Sequence, residues 1–367
     1  MTEQELRAYI EAIRPADEAA MDAARRRQAE LAKPPGSLGR LEELSIRLSG
    51  VTGRMCPAMD RCRVAVFAAD NGVVAEGVSC TPPSVTLQQA VNMTRRKTGM
   101  SAMAAAFGDD VAVVDVGIDG DVPAVGILDR KVRRGTGNIA REDAMTRQQV
   151  LDAMAAGMEQ AAMARRGGVT ALGIGEMGIG NTTTSAAVLA ALTGADVEAV
   201  TGRGGGLTDE GFRRKKAVLR QALALHRPDG NDVIGVLAGV GGLDLAAMTG
   251  AFLGCAHERV PAVADGFISI TAALCAVRLC PAARDVLFLS HDSYEVGYRI
   301  AAEELGLQPC LRLEMRLGEG SGCPLLFRVL EGACGVMRGM ATFAEAAIQD
   351  DYLDEIRAVD AFTVEGA

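Results

Sequence analysis

The feature that most constrains the fold is a recurring order of apolar strand, polar loop and helix. Apolar runs typical of buried strands occupy residues 63–69, 111–117, 168–172, 260–264 and 285–289. Each run ends in polar or glycine-rich residues, and helical patterns follow at a spacing typical of crossover connections between parallel strands. The order predicts an α/β fold in which helices flank a parallel sheet.

Helical patterns precede the first strand. The leucine spacing after Pro34-Pro35-Gly36 predicts a helix with Ser37 as its N-cap. The basic approach to this helix could present Lys33 or Arg40 to an anion or a neighbouring subunit, or it could be a linker only.

Composition excludes several classes of protein. Apolar residues make up 49% of the chain and tryptophan is absent, so the core must consist of Ala, Val, Leu, Ile and Met. The net charge is −9 and no basic stripe with aromatic residues occurs, which argues against nucleic-acid binding. The nine cysteines form no C-x-x-C pair, which favours a reducing cytoplasm over a disulfide scaffold or zinc site. A charged N-terminus and the lack of an apolar run of about 18 residues predict neither a signal peptide nor a membrane span.

Two glycine-cradled glutamates are the main candidates for chemistry. Alternating apolar residues from Leu311 to Leu317 lead into Gly318-Glu319-Gly320-Ser321-Gly322. Glycines let the backbone turn sharply, so Glu319 is expected at the end of an ordered element and facing a cavity. The alternative is a glycine-rich turn with a solvated carboxylate. Glu176 lies in a second stretch of the same kind, residues 173–184.

The second stretch admits two nucleotide-binding interpretations. Residues 173–178 match G-x-G-x-x-G, and Asp196 follows about 20 residues on, as in dinucleotide-binding enzymes. Glu176 would then place a negative charge in the phosphate turn, which argues against a dinucleotide. A single phosphate fits better, because the helix start at 181–184, the glycines at 202–206 and Lys215 could surround it. Simple N-capping is the alternative for the threonines.

Other polar residues give weaker signals. Asp70-Asn71-Gly72 follows the first strand, where ligands bind in open α/β sheets, although an Asx turn also explains it. The three histidines are far apart in sequence, and no metal-ligand cluster, P-loop or G-x-S-x-G motif is visible. We therefore expect neither a metal nor a cofactor.

At these motifs the chain resembles the nicotinate-nucleotide–dimethylbenzimidazole phosphoribosyltransferase family. The resemblance runs from about Lys33 to Ala347. The motifs that carry it are Lys33-Pro-Pro-Gly-Ser-Leu-Gly, Ala69-Asp-Asn-Gly-Val, Gly175-Glu-Met-Gly-Ile-Gly-Asn-Thr-Thr, Gly202-Arg-Gly, Asp265-Gly-Phe, Ser290-His and Met315-Arg-Leu-Gly-Glu-Gly-Ser-Gly. Together these motifs are highly specific, although none would be alone.

The resemblance implies a Rossmann-like, doubly wound sheet with a small helical domain from N- and C-terminal segments, in a cytoplasmic homodimer. We expect an N-terminal segment at 1–60, the nucleotide-binding domain at 61–310 and a C-terminal segment with the catalytic loop at 311–367. The implied catalytic base is Glu319. The implied substrate-binding residues are Asp70, Ser79, Gln88, Glu176, Gly178, Gly180, Asn181, Thr182, Thr183, Gly202, Arg203, Gly204, Lys215, Asp265, Ser290, Leu317 and Gly318.

The implied reaction moves ribose 5-phosphate from nicotinate mononucleotide to 5,6-dimethylbenzimidazole. Desolvation by nearby apolar side chains should raise the pKa of Glu319. The sequence departs from the family pattern at Asn71, Thr81, Gln89 and Gly205, which leaves adenine, another benzimidazole or a phenol open as the acceptor. A dinucleotide-dependent oxidoreductase and a non-catalytic nucleotide-binding protein are the rival functions.

Overall fold

A computed structural model of the protein describes residues 1–123 and 126–354. Six parallel strands form one sheet in the order β3-β2-β1-β4-β5-β6. The strands are β1 (Cys62–Ala69), β2 (Asp110–Gly117), β3 (Ile127–Asp129), β4 (Ala171–Met177), β5 (Ala262–Ala264) and β6 (Leu287–Leu289). Strand order reverses between β1 and β4, and in doubly wound sheets ligands bind beyond the carboxyl ends of the strands at this point. The α/β fold class expected from the sequence is confirmed.

All five predicted strands are present, with different bounds. The third was expected to end at residue 172, but β4 begins at Ala171 and continues through the glycines to Met177. Its pairing with β1 explains the extension, because Gly173 and Gly175 lie opposite Val64 and Val66. The sequence did not predict β3, a three-residue strand at the edge of the sheet that lacks a buried apolar run.

Helices account for most of the remaining ordered chain. Among the described residues the α-helices are α1 (Glu3–Glu11), α2 (Glu18–Glu30), α3 (Arg40–Thr52), α4 (Val85–Thr94), α5 (Gly99–Phe107), α6 (Arg147–Arg166), α7 (Asn181–Thr193), α8 (Val197–Val200), α9 (Asp209–His226), α10 (Val233–Val240), α11 (Leu243–Glu258), α12 (Phe267–Leu279), α13 (Gly297–Leu305) and α14 (Cys323–Gly339). None of them is long and apolar enough to cross a membrane. Helix α6 begins directly after Thr146, which provides a capping box.

The chain divides into two compact units. The first comprises Met1–Arg14 and Arg61–Leu326 and contains the sheet, whose strand β1 is almost entirely buried. The second comprises Pro15–Asp60 and Phe327–Ala367, and its core includes Ala24, Leu31 and Met337. This division differs from the expected boundaries, because residues 1–14 and 311–326 belong to the sheet unit.

The expected N-cap of α3 is wrong, and the run at 311–317 has an irregular backbone. Gly39, not Ser37, is the N-cap of α3, and no side chain caps that helix. The alternating run 311–317 is not a strand: only Leu311 forms a bridge, to His291. Glu314 has a φ of 54°, which interrupts the extended backbone. Consequently Leu313 and Leu317 are 51% and 57% exposed rather than packed in the core.

Candidate active site

A cavity of about 300 Å³ lies beyond the carboxyl ends of the central strands, within the sheet unit. This volume is at the lower end of the range for small-molecule sites. The cavity is lined by six segments of chain, which fall within 78–89, 176–182, 203–207, 265–269, 291–295 and 316–319. Segments distant in sequence therefore meet where a doubly wound sheet places its ligand.

The loop that carries Glu319 has an unusual backbone. Gly318, Glu319 and Gly320 have φ angles of 81°, 63° and 85°, so three successive residues are left-handed. For Glu319 this conformation costs about 1–2 kcal/mol, because its Cβ approaches the following carbonyl. Strain at a cavity-lining residue points to function.

The Glu319 carboxylate lies at the N-terminus of helix α5. Its Oε2 accepts a hydrogen bond of 3.2 Å from the backbone N–H of Met100, and the hydroxyl of Thr98 also bonds to it. Burial raises the pKa of Glu319, and these two hydrogen bonds lower it. The upward shift by desolvation agrees with the expectation from sequence. Because the helix N-terminus favours negative charge, the carboxylate remains ionisable despite burial.

Two buried carboxylates hold the backbone of this loop. Glu176 Oε1 accepts from the N–H of Glu319 at 3.3 Å. Asp265 accepts from Gly320 and Gly322 at 3.0 and 2.7 Å, one bond on each of its oxygens. These hydrogen bonds join the motifs that contain Glu176 and Asp265 to the motif that contains Glu319, although the three motifs lie far apart in sequence.

Asp265 also belongs to a buried polar cluster. Its Oδ1 lies 3.7 Å from His291 Nδ1, which in turn lies 3.0 Å from the hydroxyl of Ser290. Burial raises the pKa of Asp265, while His291 and the loop N–H groups oppose that shift. Ser290 therefore contacts the group that holds the loop, and it does not itself line the cavity.

Glu176 shares one amide with a second acid. The side-chain nitrogen of Asn181 donates to Glu176 Oε2 and, at 3.0 Å, to Asp244 Oδ2. Burial raises the pKa of Glu176 to about 8 and that of Asp244 to about 6. Near neutral pH, Glu176 is therefore mostly protonated in the absence of a nearby cation.

The segments predicted to bind phosphate do converge. Lys215 Nζ donates to the hydroxyl of Thr182 at 2.8 Å, and a Cβ on Gly204 would lie 3.7 Å from the same nitrogen. Burial lowers the pKa of Lys215 to about 8. Helix α7 has no side-chain cap at Gly180. A buried cation beside an uncapped helix start is suited to an anion.

The predicted site residues fall into two groups. Those lining the cavity are Ser79, Glu176, Gly178, Gly180, Asn181, Thr182, Arg203, Gly204, Asp265, Leu317, Gly318 and Glu319. Outside its lining are Asp70, Gln88, Thr183, Gly202, Lys215 and Ser290. Gln88 is exposed, and its neighbour Gln89 lines the cavity instead. Asp70 accepts a bond from the Asp119 N–H at 2.8 Å.

Sequence reasoning missed several contributors. Thr98 and Met100 at the start of α5 were not singled out, although the capping box of Thr98 marks a helix start that can accept a carboxylate. Asp244, Ser293 and Glu295 were missed because no local pattern distinguishes their carboxylates and hydroxyl from ordinary loop or helix residues. Among the described residues, no group of three or more His, Cys, Asp or Glu side chains could hold a metal ion.

The G-x-G-x-x-G at 173–178 does not form a phosphate-binding turn. Gly173 and Gly175 both lie within β4. Gly173 pairs with β1 and β5, and Gly175 pairs with β1. A dinucleotide fingerprint needs its first two glycines in the turn after the strand. The geometry therefore argues against the oxidoreductase interpretation.

The fold and this cavity, which is lined by the acidic loop of Glu319 and by the uncapped start of α7, are those of an α/β enzyme. Comparison with known proteins identifies the family. The phosphoribosyltransferase family model matches residues 13–348, and the chain belongs to that family. This confirms the expected enzyme class.

Two relatives and one solved structure that resemble this chain share a name. Proteins named nicotinate-nucleotide–dimethylbenzimidazole phosphoribosyltransferase from Clostridium perfringens and Acetivibrio thermocellus are 46% and 47% identical. The alignments cover 93% and 90% of this chain and 94% of each relative. A crystal structure of the Thermus thermophilus protein of that name is 44% identical, with a TM-score of 0.86 over 91% of this chain and 99% of the other.

Proposed function

We propose that this protein transfers ribose 5-phosphate from nicotinate mononucleotide to 5,6-dimethylbenzimidazole, giving α-ribazole 5′-phosphate and nicotinate. The relatives' names support the substrates. The observation that supports the mechanism is the Glu319 carboxylate, which lies on the cavity wall at the N-terminus of α5. A carboxylate ionised in this position can serve as general base.

The chemistry needs one proton acceptor. The C1′–N bond to the pyridinium breaks with its electron pair going to the nicotinate ring, which leaves without a proton. One nitrogen of the benzimidazole forms the new bond to C1′, and the other loses its proton to Glu319. Attack from the opposite face inverts C1′ and converts the β substrate to the α product. Removal of such a base typically costs about 10²–10⁴-fold in rate.

Glu176 is suited to the cationic ring of the donor. Its carboxyl lines the cavity and is mostly neutral near pH 7 because of burial and Asp244. A pyridinium beside it would favour the ionised form, since an opposite charge nearby lowers a carboxyl pKa. The positive charge disappears when the ring leaves, which removes that stabilisation and favours release of nicotinate.

Three residues of the cavity wall bear on which aromatic base accepts the ribose. Thr81, Gln89 and Gly205, three of the departures from the family pattern, all line the cavity. Their polar or missing side chains favour acceptors with hydrogen-bonding edges more than an all-apolar wall would. Dimethylbenzimidazole, adenine, other benzimidazoles and phenols should therefore be compared directly. We also propose a cytoplasmic homodimer, for which light scattering gives the mass in solution.

The deciding experiment is a product assay by mass spectrometry with nicotinate mononucleotide and this panel of bases. Base-dependent nicotinate release, lowered by orders of magnitude in Glu319→Gln, supports the proposal. Glu314→Gln is the matched control, because Glu314 is an exposed glutamate of the same segment. Nucleotide binding without ribosylation of any base would contradict catalysis and favour a binding protein.

A further inference from the structure

Glu295 has a carboxylate oxygen that the proposed mechanism does not use. Its side chain lines the cavity, yet its Oε2 is buried and has no hydrogen-bond partner among the residues that the structure describes. Burying an unpaired polar atom is costly, and an ionised one more so. Because Glu295 Oε2 is buried and unpaired in a ligand cavity, we expect it to have a function.

The position of this carboxylate is specific. Glu295 Oε2 lies against Gly202, where the Cβ of any other residue would be. Gly202 begins the glycine segment that brings Gly204 beside Lys215 and Thr182. The negative charge of Glu295 also acts on Lys215, where it opposes the effect of burial on the lysine pKa. The carboxylate therefore lies beside groups that the sequence predicts to surround the phosphate, namely the glycine segment and Lys215.

Among the described residues, no Lys, Arg or His side chain forms an ion pair with Glu295. Arg203, the nearest arginine of the glycine segment, donates to Asp209 and to the carbonyl of Leu207. Lys215 donates to a neutral hydroxyl rather than to an acid. Lys215 and Arg203 therefore form no direct hydrogen bond with the Glu295 carboxylate. The negative charge of Glu295 still acts on Lys215.

We infer that Glu295 is an internal competitor of the substrate phosphate, whose carboxylate balances Lys215 before the nucleotide binds and is displaced when the phosphate arrives. This inference rests on the proposed function, because it takes the phosphate of the mononucleotide as the incoming anion. Like charges placed side by side cost free energy, so the competitor weakens nucleotide binding and favours release of the phosphorylated product. Weaker binding of the phosphate group therefore allows faster turnover.

Calorimetry on the full-length protein tests the inference with inorganic phosphate and with nicotinate mononucleotide as ligands. We expect Glu295→Gln and Glu295→Ala each to bind both ligands about tenfold more tightly than the wild type. Glu303→Gln is the matched control, because Glu303 is exposed on α13 and lies outside the cavity lining. Nicotinate riboside, which lacks the phosphate, should bind the wild type and both variants equally.

The outcomes separate this inference from the proposed function. Unchanged or weaker phosphate binding in folded Glu295→Gln and Glu295→Ala overturns the competitor role, as does an equal gain for the riboside. Tighter phosphate binding in a protein that ribosylates no base supports the competitor role while the transferase proposal fails. Normal ribosyl transfer together with unchanged phosphate affinity in the variants supports the transferase proposal and overturns the competitor role.

Discussion

Replacing Gly175 by alanine tests whether the sheet positions the catalytic loop. A Cβ on residue 175 would lie 2.6 Å from the carbonyl oxygen of Glu319 and 2.7 Å from both the nitrogen and Cα of Gly320. All three atoms are backbone, so no side chain can rotate away. Restoring an ordinary contact of 3.4 Å requires a displacement of about 0.8 Å.

A displacement of this size should affect rate more than binding. A misplacement of about 1 Å can cost about 10²-fold in rate, so we expect Gly175→Ala to lower kcat by about that factor. Overpacking should also lower the free energy of unfolding by about 1–3 kcal/mol. The assay is initial-rate nicotinate release at saturating mononucleotide and base, with urea unfolding alongside. The KM for the mononucleotide should change little, because the phosphate groups lie on other segments.

The control for this variant is Gly335→Ala in α14, where, beyond the adjacent residues and the backbone of the helix itself, no atom of the described chain lies within 4 Å of the added methyl group. It should leave kcat unchanged. Wild-type kcat in a folded Gly175→Ala protein would refute the argument, since it would show that the loop does not need the position that β4 gives it. Loss of nucleotide binding with unchanged kcat would equally contradict it.

Three further perturbations have definite expected results. Asp265→Asn leaves one carbonyl oxygen for two loop N–H groups, so kcat should fall by about 10²-fold in the product assay. Glu176→Gln should flatten the pH dependence of unfolding. The folded pKa of about 8 exceeds the ordinary 4.5, so the wild type loses stability as pH rises between those values, as urea midpoints should show. Lys33→Met should cost about 3 kcal/mol in urea unfolding, because it leaves largely buried Glu42 without the cation 2.7 Å away.

Each result has a clear contrary outcome. Unchanged kcat in Asp265→Asn would show that the loop holds its conformation without two acceptors. An equally steep pH profile in Glu176→Gln would assign the pH dependence to other buried acids, with Asp244→Asn as the comparison. A change within about 0.5 kcal/mol for Lys33→Met would place that ion pair among ordinary surface pairs. Arg25→Met, which removes two exposed ion pairs, is its control.

The sequence predicted the layers of the fold well because burial is a local signal in parallel sheets. β1 and β2 were located to within one residue, since their apolar runs are continuous. β4 was cut short because Gly173, Gly175 and Glu176 resemble a loop, and only pairing with β1 makes them a strand. The exposed run 311–317 alternates without forming a strand, since alternation does not reveal whether a partner strand exists.

The candidate site was predictable to the extent that it lies in motifs. Glu319, Glu176 and the phosphate-binding segments stand out by glycine content and by resemblance. Their partners do not, because the fold alone brings Glu295 to the cavity wall and Asp244 to the Asn181 amide from positions far away in sequence. The hydrogen bond from Met100 to Glu319 was likewise inaccessible, since 219 positions separate the two residues.

The two glutamates have different chemistry although each is buried beside glycines. Glu319 receives N–H and hydroxyl donors at a helix N-terminus, which stabilise its ionised form. The Asn181 amide donates to both Glu176 and Asp244, and the nearby charge of Asp244 adds to burial in raising the pKa of Glu176. Burial raises both pKa values, so the neighbours decide which acid ionises first. Glu319 is therefore suited to accept a proton, and Glu176 to respond to a cation and to hold the loop on which Glu319 lies.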